Sequence, residues 1–474
     1  MDSAANVRLN KGELFAFSFL VVPMAVIGLP LAIYIPPFYS GTLGLDLAAV
    51  GIVMMLARLA DVVIDPFIGR WSDRTRTRWG RRRPWVIAGV VVMMISSIML
   101  FMPQISISNL YLFAWISAIY IGYTLIEIPY GAWGAEISGD YHERNRITGS
   151  RQMFSLIGLL VAITVPIVAS QSGDHGTAAS RTSMAALGII TAVMLPICAT
   201  VLFRFVPEPS FHHTEPIAFR QGLRIALRNG PFRLILFTVM LGAIAGSVNA
   251  GVAILFLEKV AGLASSQSSL LIFVLFLAAV VGSPVWVRVG GRIGKHRGVV
   301  LAGIVSLCAF ALVPAVIYWL KPIAPEWVFP ALLAIIVVQG LTSSASPILG
   351  ASMLADVVDL DTLKSGEQRT AFLFAFLAMV RKIFEAAGVG IALPILSWSG
   401  FNASGSVNTP FALFMLTAMY CLVPLALWVG CVFIVAQYPI THERQQRLRG
   451  ALERRLARRA ASRLAVEPRV MPAD

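Results

Sequence analysis

Between residues 58 and 84 the chain reads RLADVVIDPFIGRWSDRTRTRWGRRRP, with two carboxylates four residues apart in an otherwise apolar run. Arg58, Asp61 and Asp65 follow i, i+3, i+7 spacing, which on a helix gathers all three on one face. Two carboxylates on a shared face offer the hard oxygen ligands that suit a monovalent cation. A single arginine cannot neutralise both acids. Arg58 therefore reads as a structural partner of one of them, and the aspartate pair as a site for a further charge.

Other ionisable residues stand in similarly apolar surroundings. Glu127 lies in GYTLIEIPY, with Tyr123 and Thr124 one turn earlier on the same side. Lys382 lies in MVRKIFEAAG, far away in sequence, and Glu385 follows it by one turn, placed to pair with Arg381 or Lys382. An acid cluster early in the chain and a lysine late in it can form a charge pair that is made and broken as two halves of a protein move.

The elements that hold these residues follow from composition. The chain has 474 residues, 57% of them hydrophobic and only 13% charged, with mean hydropathy +0.78. A soluble domain carries about a quarter charged residues, so most of this surface must face lipid. A membrane-crossing helix needs about 20 apolar residues. Twelve such segments are predicted, centred near residues 25, 57, 94, 121, 160, 194, 245, 277, 308, 339, 385 and 424. The first lacks a small-residue cleavage site and reads as a retained span. With a boundary near Gly69, Asp65 lies about 6 Å deep and Asp61 about 12 Å, at 1.5 Å per residue. A charge there costs roughly 2.5–3.5 kcal/mol on insertion scales and persists when it faces a water-filled cavity and has partners.

The net charge of +14 is no nucleic-acid footprint. The bases cluster in alternate loops, at 70–83, 144–151, 204–233 and 288–297 and in the tail 444–469. That alternation is the positive-inside pattern, and an even number of spans then puts both termini in the cytoplasm. Within the first basic loop, Asp73, Arg74, Arg81 and Arg82 are candidates for a latch on the cytoplasmic helix ends. Cys198, Cys308, Cys421 and Cys431 all fall in predicted spans and read as small packing residues without a disulfide framework.

The stretch 207–230 is the longest polar interruption within the chain and separates six spans from six. Its later part suggests a short surface helix, and the adjacent His212 and His213, lacking a third ligand, read as loop residues. The expected units are a six-helix half at 1–206, a cytoplasmic linker at 207–230, a second half at 231–438 and a basic tail at 439–474. GRWSDRTRTRWGRRRPW after the second span and GGRIGKHRG after the eighth echo one another. Corresponding loops of this kind mark duplicated transporters with a substrate site between halves at mid-depth.

RLADVVIDPFIGRWSDRTRTRWGRRRPW resembles the signature of the glycoside–pentoside–hexuronide:cation symporters, the melibiose-permease-like branch of the major facilitator superfamily. GYTLIEIPYGAWGAEIS with ERNRITGSRQ, and ADVVDLDTLKSGEQRTAFLFAFLAMVRK at 355–382, resemble two further segments of that family. The resemblance implies the major facilitator fold, all-α, with twelve helices in two pseudo-symmetric halves. It also implies a cation site for Na+ or H+ at Asp61, Asp65 and Thr124, and a solute site at Tyr123, Glu127, Arg151 and Lys382. Two departures concern the solute. LVVPMAVIG is wholly apolar where melibiose permeases carry a sugar-binding acid, and Gly131 replaces an aromatic that packs on the sugar ring.

The sequence thus predicts a monomeric multi-pass symporter of the inner membrane, with a glycoside-like solute, a coupling cation, no cofactor and no nucleic-acid partner. A carrier of lysolipids or other amphiphiles, and a non-transporting membrane sensor, are the rival readings. No nucleophile motif, phosphate loop or intramembrane histidine cluster suggests an enzyme.

Overall fold

The computed structural model describes residues 8–103, 107–137, 141–169, 177–207, 227–365 and 370–439. Most of the expected linker, including His212 and His213, and all but Pro439 of the expected tail lie outside them. Among the described residues there is no strand beyond one isolated bridge, Thr77 to Gly80. Twelve long helical segments are present. In chain order these are α1 (Lys11–Ile33), α2 (Leu47–Arg74), α3 (Arg83–Phe101), α4 (Asn109–Glu136), α5 (Tyr141–Ala169) and α6 (Thr177–Phe205). They continue with α7 (Gly230–Val260), α8 (Ser265–Ile293), α9 (Lys295–Ile323), α10 (Pro325–Val358), α11 (Thr370–Trp398) and α12 (Pro410–Ala436).

Every predicted centre falls inside one of these helices. Eleven of the twelve are apolar enough to span a membrane on composition alone. The other is α11, whose middle carries Arg381, Lys382 and Glu385. Such an interruption is tolerated only where partners are supplied from elsewhere in the bundle.

Helices are the required answer to this composition, because hydrocarbon offers no partner to an unpaired backbone group. Several ends are sealed by side chains. Asn10 and Glu13 form a reciprocal capping box at the start of α1, and the Asp46 carboxylate accepts from Ala49 N–H at 2.8 Å to open α2. Such caps satisfy amide groups that the first helical turn leaves free.

Apolar packing separates the chain into halves. One core draws on residues from Leu9 to Val206, with Ile254 and Ile272 added from the second half. A second draws on residues from Val248 to Cys421, with Leu47 added from the first. The cysteines divide: Cys198 and Cys421 are buried, whereas Cys308 is exposed on the bundle exterior, so packing does not explain Cys308.

The halves meet along an antiparallel seam between α2 and α11. At its far end from the basic loops, Ser397 Oγ donates to Asp46 Oδ1 at 3.0 Å. A Cβ built on Gly51 would lie 2.7 Å from Leu393 Cβ, and one on Gly390 would collide with Met55. Glycine is needed at both positions because the helices approach too closely for a side chain, a common device in membranes. On its other face, α2 exposes Ile52, Leu56, Val63, Phe67 and Trp71, a stripe suited to lipid.

Overpacking this seam by Gly51→Val or Gly390→Val is expected to cost about 1–3 kcal/mol and to lower the thermal unfolding midpoint in detergent. Gly131→Ala, at a site where a Cβ meets open space, should leave the midpoint near that of the parent.

Candidate functional site

Further along the same seam, the ionisable residues converge. Lys382 Nζ on α11 donates to Asp61 Oδ2 at 3.0 Å and to Asp65 Oδ2 at 2.6 Å, both on α2. From α4, Thr124 Oγ1 lies 2.7 Å from Asp61 Oδ1 and 2.9 Å from Asp65 Oδ1. One hydroxyl proton serves one carboxylate at a time. Both aspartates therefore turn one oxygen to the lysine and one to the threonine, enclosing an oxygen-lined niche. Asp61 is buried, with a side chain only 1% exposed. Two carboxylates and a hydroxyl make a donor set for a small hard cation. The described residues hold no group of three or more His, Cys, Asp or Glu side chains placed to share a metal ion.

Arg58 stands one turn away. Its Nη1 is 3.5 Å from Asp61 Oδ2 and its Nη2 is 3.7 Å from Glu385 Oε2 across the seam. The guanidinium also lies over the Tyr120 ring, 4.8 Å from the centroid. Glu385 takes a second long contact, 3.6 Å from Arg381 Nε. Of the two partners expected for Glu385, Arg381 is present and Lys382 is engaged by the aspartates instead.

The solute candidates form a neighbouring group on the first half. Glu127 on α4 accepts from Arg151 Nη2 on α5 at 3.0 Å. Arg151 lies 4.5 Å over the Tyr130 ring, and Tyr123 sits among Glu127, Arg58, Arg151 and Arg381. Lys382 belongs to the aspartate cluster here, not to the Glu127 pair. The glutamate's side chain is 41% exposed, so it borders open volume.

The basic loop forms a separate cluster. Arg82, only 2% exposed, bonds Asp73 Oδ1 at 2.7 Å, Ser72 Oγ at 3.0 Å and Glu136 Oε1 at 2.8 Å. Arg81 Nη2 reaches Glu136 Oε2 at 2.5 Å. Arg74 departs from the expected latch: it occupies the last turn of α2 and is exposed, outside this cluster. A base there complements the helix C-terminus without a carboxylate partner. Glu136 was not foreseen as the anchor, although an acid at the end of the fourth span beside a basic loop was the available signal. In the second half, Lys295 bonds both oxygens of Asp356 at 2.8 and 2.7 Å, a pair the sequence reading also missed.

Two groups of membrane helices that meet around an ion-pair cluster fit the architecture of a secondary transporter. The sequence profile of the family described as MFS/sugar transport protein matches residues 16–442, and the chain belongs to that family. It is 25% identical over 430 residues to the putative glycoside/cation symporter YagG of Escherichia coli (strain K12), covering 90% of each chain. It is also 25% identical over 438 residues to the sodium-dependent lysophosphatidylcholine symporter 1 of Homo sapiens, covering 85% of this chain and 78% of that one. Among solved structures, the nucleoside transporter NupG shares the fold with TM-score 0.62 at 14% identity, covering 90% of this chain and 98% of its own. The protein is thus a multi-pass membrane transporter of the major facilitator superfamily, not an enzyme.

Two stability predictions follow from the ion pairs. Glu136→Gln removes the carboxylate that Arg81 and Arg82 share, while Asp73 still faces Arg82, and should cost about 1.5–3 kcal/mol, whereas Arg74→Ala, at an exposed position, should stay within about 0.5 kcal/mol. Lys382→Ala should likewise destabilise the protein, and adding Asp61→Asn should restore part of the loss by removing one unpaired charge. Thermal or urea unfolding of the purified variants checks both.

Proposed function

We propose that the chain is a cation-coupled symporter in which Asp61, Asp65 and Thr124 hold Na+ or H+, and Tyr123, Glu127, Arg151 and Lys382 contact a glycoside-like solute. It acts as a monomer in the inner membrane, with both termini on the cytoplasmic side. The observation that carries this reading is the single ammonium of Lys382 shared by two carboxylates from the opposite half. A cation entering the niche competes with Lys382 for the same oxygens. Its binding loosens the contact between halves and frees the lysine toward the neighbouring solute group. Solute and cation together then favour a conformational exchange that neither favours alone. The names of the relatives, a glycoside/cation symporter and a sodium-dependent one, support coupling to a cation.

A lysolipid or similar amphiphile is the second reading. It is favoured by the wholly apolar stretch 20–28 of the first span, whose Leu20, Val22, Met24, Val26 and Ile27 are buried in the core, and by likeness to a lysophosphatidylcholine symporter. A thermal-stability panel of methyl glycosides, glucuronides and lysophosphatidylcholine, each with and without Na+, separates the two. Stabilisation by sugars supports the first reading, and stabilisation by the lysolipid alone replaces it.

In proteoliposomes, Asp61→Asn and Asp65→Asn are each expected to reduce accumulation driven by a Na+ or pH gradient to background, while some downhill exchange survives. Gradient-driven accumulation at the parental level in both variants overturns the proposed cation site.

A further inference from the structure

The symporter reading leaves Glu385 without a task. Among the described residues, the Lys382 region of the α2–α11 seam gathers three carboxylates, Asp61, Asp65 and Glu385, and two inward-held bases, Arg58 and Lys382. Arg381 also reaches Glu385, but its side chain is 61% exposed, so solvent compensates much of its charge. The adjacent Glu127–Arg151 pair is neutral in sum. Counting the inward-held groups alone, this cluster is one positive charge short, and one monovalent cation would supply it.

Glu385 is also the least committed of the three acids. Asp61 and Asp65 each receive Lys382 and Thr124 at 3.0 Å or less. Glu385 is held only by contacts of 3.7 Å and 3.6 Å, to Arg58 and Arg381. A cation entering between Asp61 and Asp65 repels the Lys382 ammonium and weakens its hold on the same carboxylates, because like charges at contact distance disfavour one another. A displaced charge in a membrane interior needs a new acceptor. Glu385 lies three residues after Lys382, a spacing that puts the two on one helix face. It also shares Arg58 with Asp61, at 3.7 Å against 3.5 Å.

We propose that Glu385 is a positioning residue for cation binding: it receives Lys382 when a cation occupies Asp61 and Asp65, and it shares Arg58 with Asp61. This assignment rests on the symporter reading above.

The test uses the full-length protein in nanodiscs, titrated with NaCl or LiCl against choline chloride, and separately with acid, while tryptophan fluorescence and thermal stability are followed. Glu385→Gln is expected to weaken the apparent cation affinity by about tenfold or more, and Glu385→Asp to stay within about threefold of the parent. Arg58→Gln combined with Glu385→Gln removes one charge of each sign and restores the shortfall, so its affinity should return to within about threefold of the parent. That double variant leaves neither partner stranded, which keeps the test open should Glu385→Gln fold poorly. Parent-like titration by Glu385→Gln overturns the assignment alone. A double variant with affinity at least tenfold below the parent shows that the charge balance is not what matters, and also overturns it. A parent that responds to none of Na+, Li+ or acid, with Asp61→Asn unchanged from it, overturns the symporter reading and the assignment together.

Discussion

The structure turns on one constraint: two carboxylates placed in the low-dielectric middle of a membrane bundle, with too little positive charge on their own helix. Leaving one partner of a buried ion pair uncompensated costs about 3–5 kcal/mol. Arg58 reaches Asp61 only at 3.5 Å, and the remaining demand is met from the opposite half by Lys382. That requirement sets the register of α2 against α11. It is supported by close approach at Gly51 and Gly390 and by the Asp46–Ser397 bond at the end of the seam.

An interaction between halves that also served as the proposed cation site would couple occupancy to conformation. A ligand shifts a two-state equilibrium only by its differential affinity for the two states, and a shift from 1:99 to 99:1 needs about 5.5 kcal/mol. An ion-pair cluster of this kind is of the right size to contribute a large share. By contrast, the clusters at the basic loops join elements within a half. Arg81 and Arg82 tie the loop to Asp73 and Glu136, and Lys295 ties α9 to Asp356 on α10. Such fastening within a half suits the rocking of one half against the other by which transporters of this architecture move.

Much of this was legible from residues. The i, i+3, i+7 spacing of Arg58, Asp61 and Asp65 marked one helix face, and the depth of Lys382 within its apolar run marked it as a group needing a partner. The same charges lower the hydropathy signal of α11, so the span that best reveals the site is the one that composition alone supports least. Glu136 was missed because an acid near a helix end is ordinary in sequence, and Asp356 because nothing local in its helix names its partner. Only the folded chain shows which buried base it meets. Arg74 was grouped with Arg81 and Arg82 by proximity in sequence, but the direction of its helix turn takes it to the surface.

The sequence by itself determined an all-helical membrane protein with two echoing sets of spans and an acid pair that needs a counter-charge. These properties follow from composition, period and charge order, which are local or nearly so. The tertiary structure decided the partnerships. Lys382 is shared by both aspartates, Arg58 is divided between Asp61 and Glu385, and Glu127 is given to Arg151. Each choice depends on distances between helices far apart in the chain, and the strength of an ion pair in a low-dielectric interior is set by those distances and by what excludes water around them.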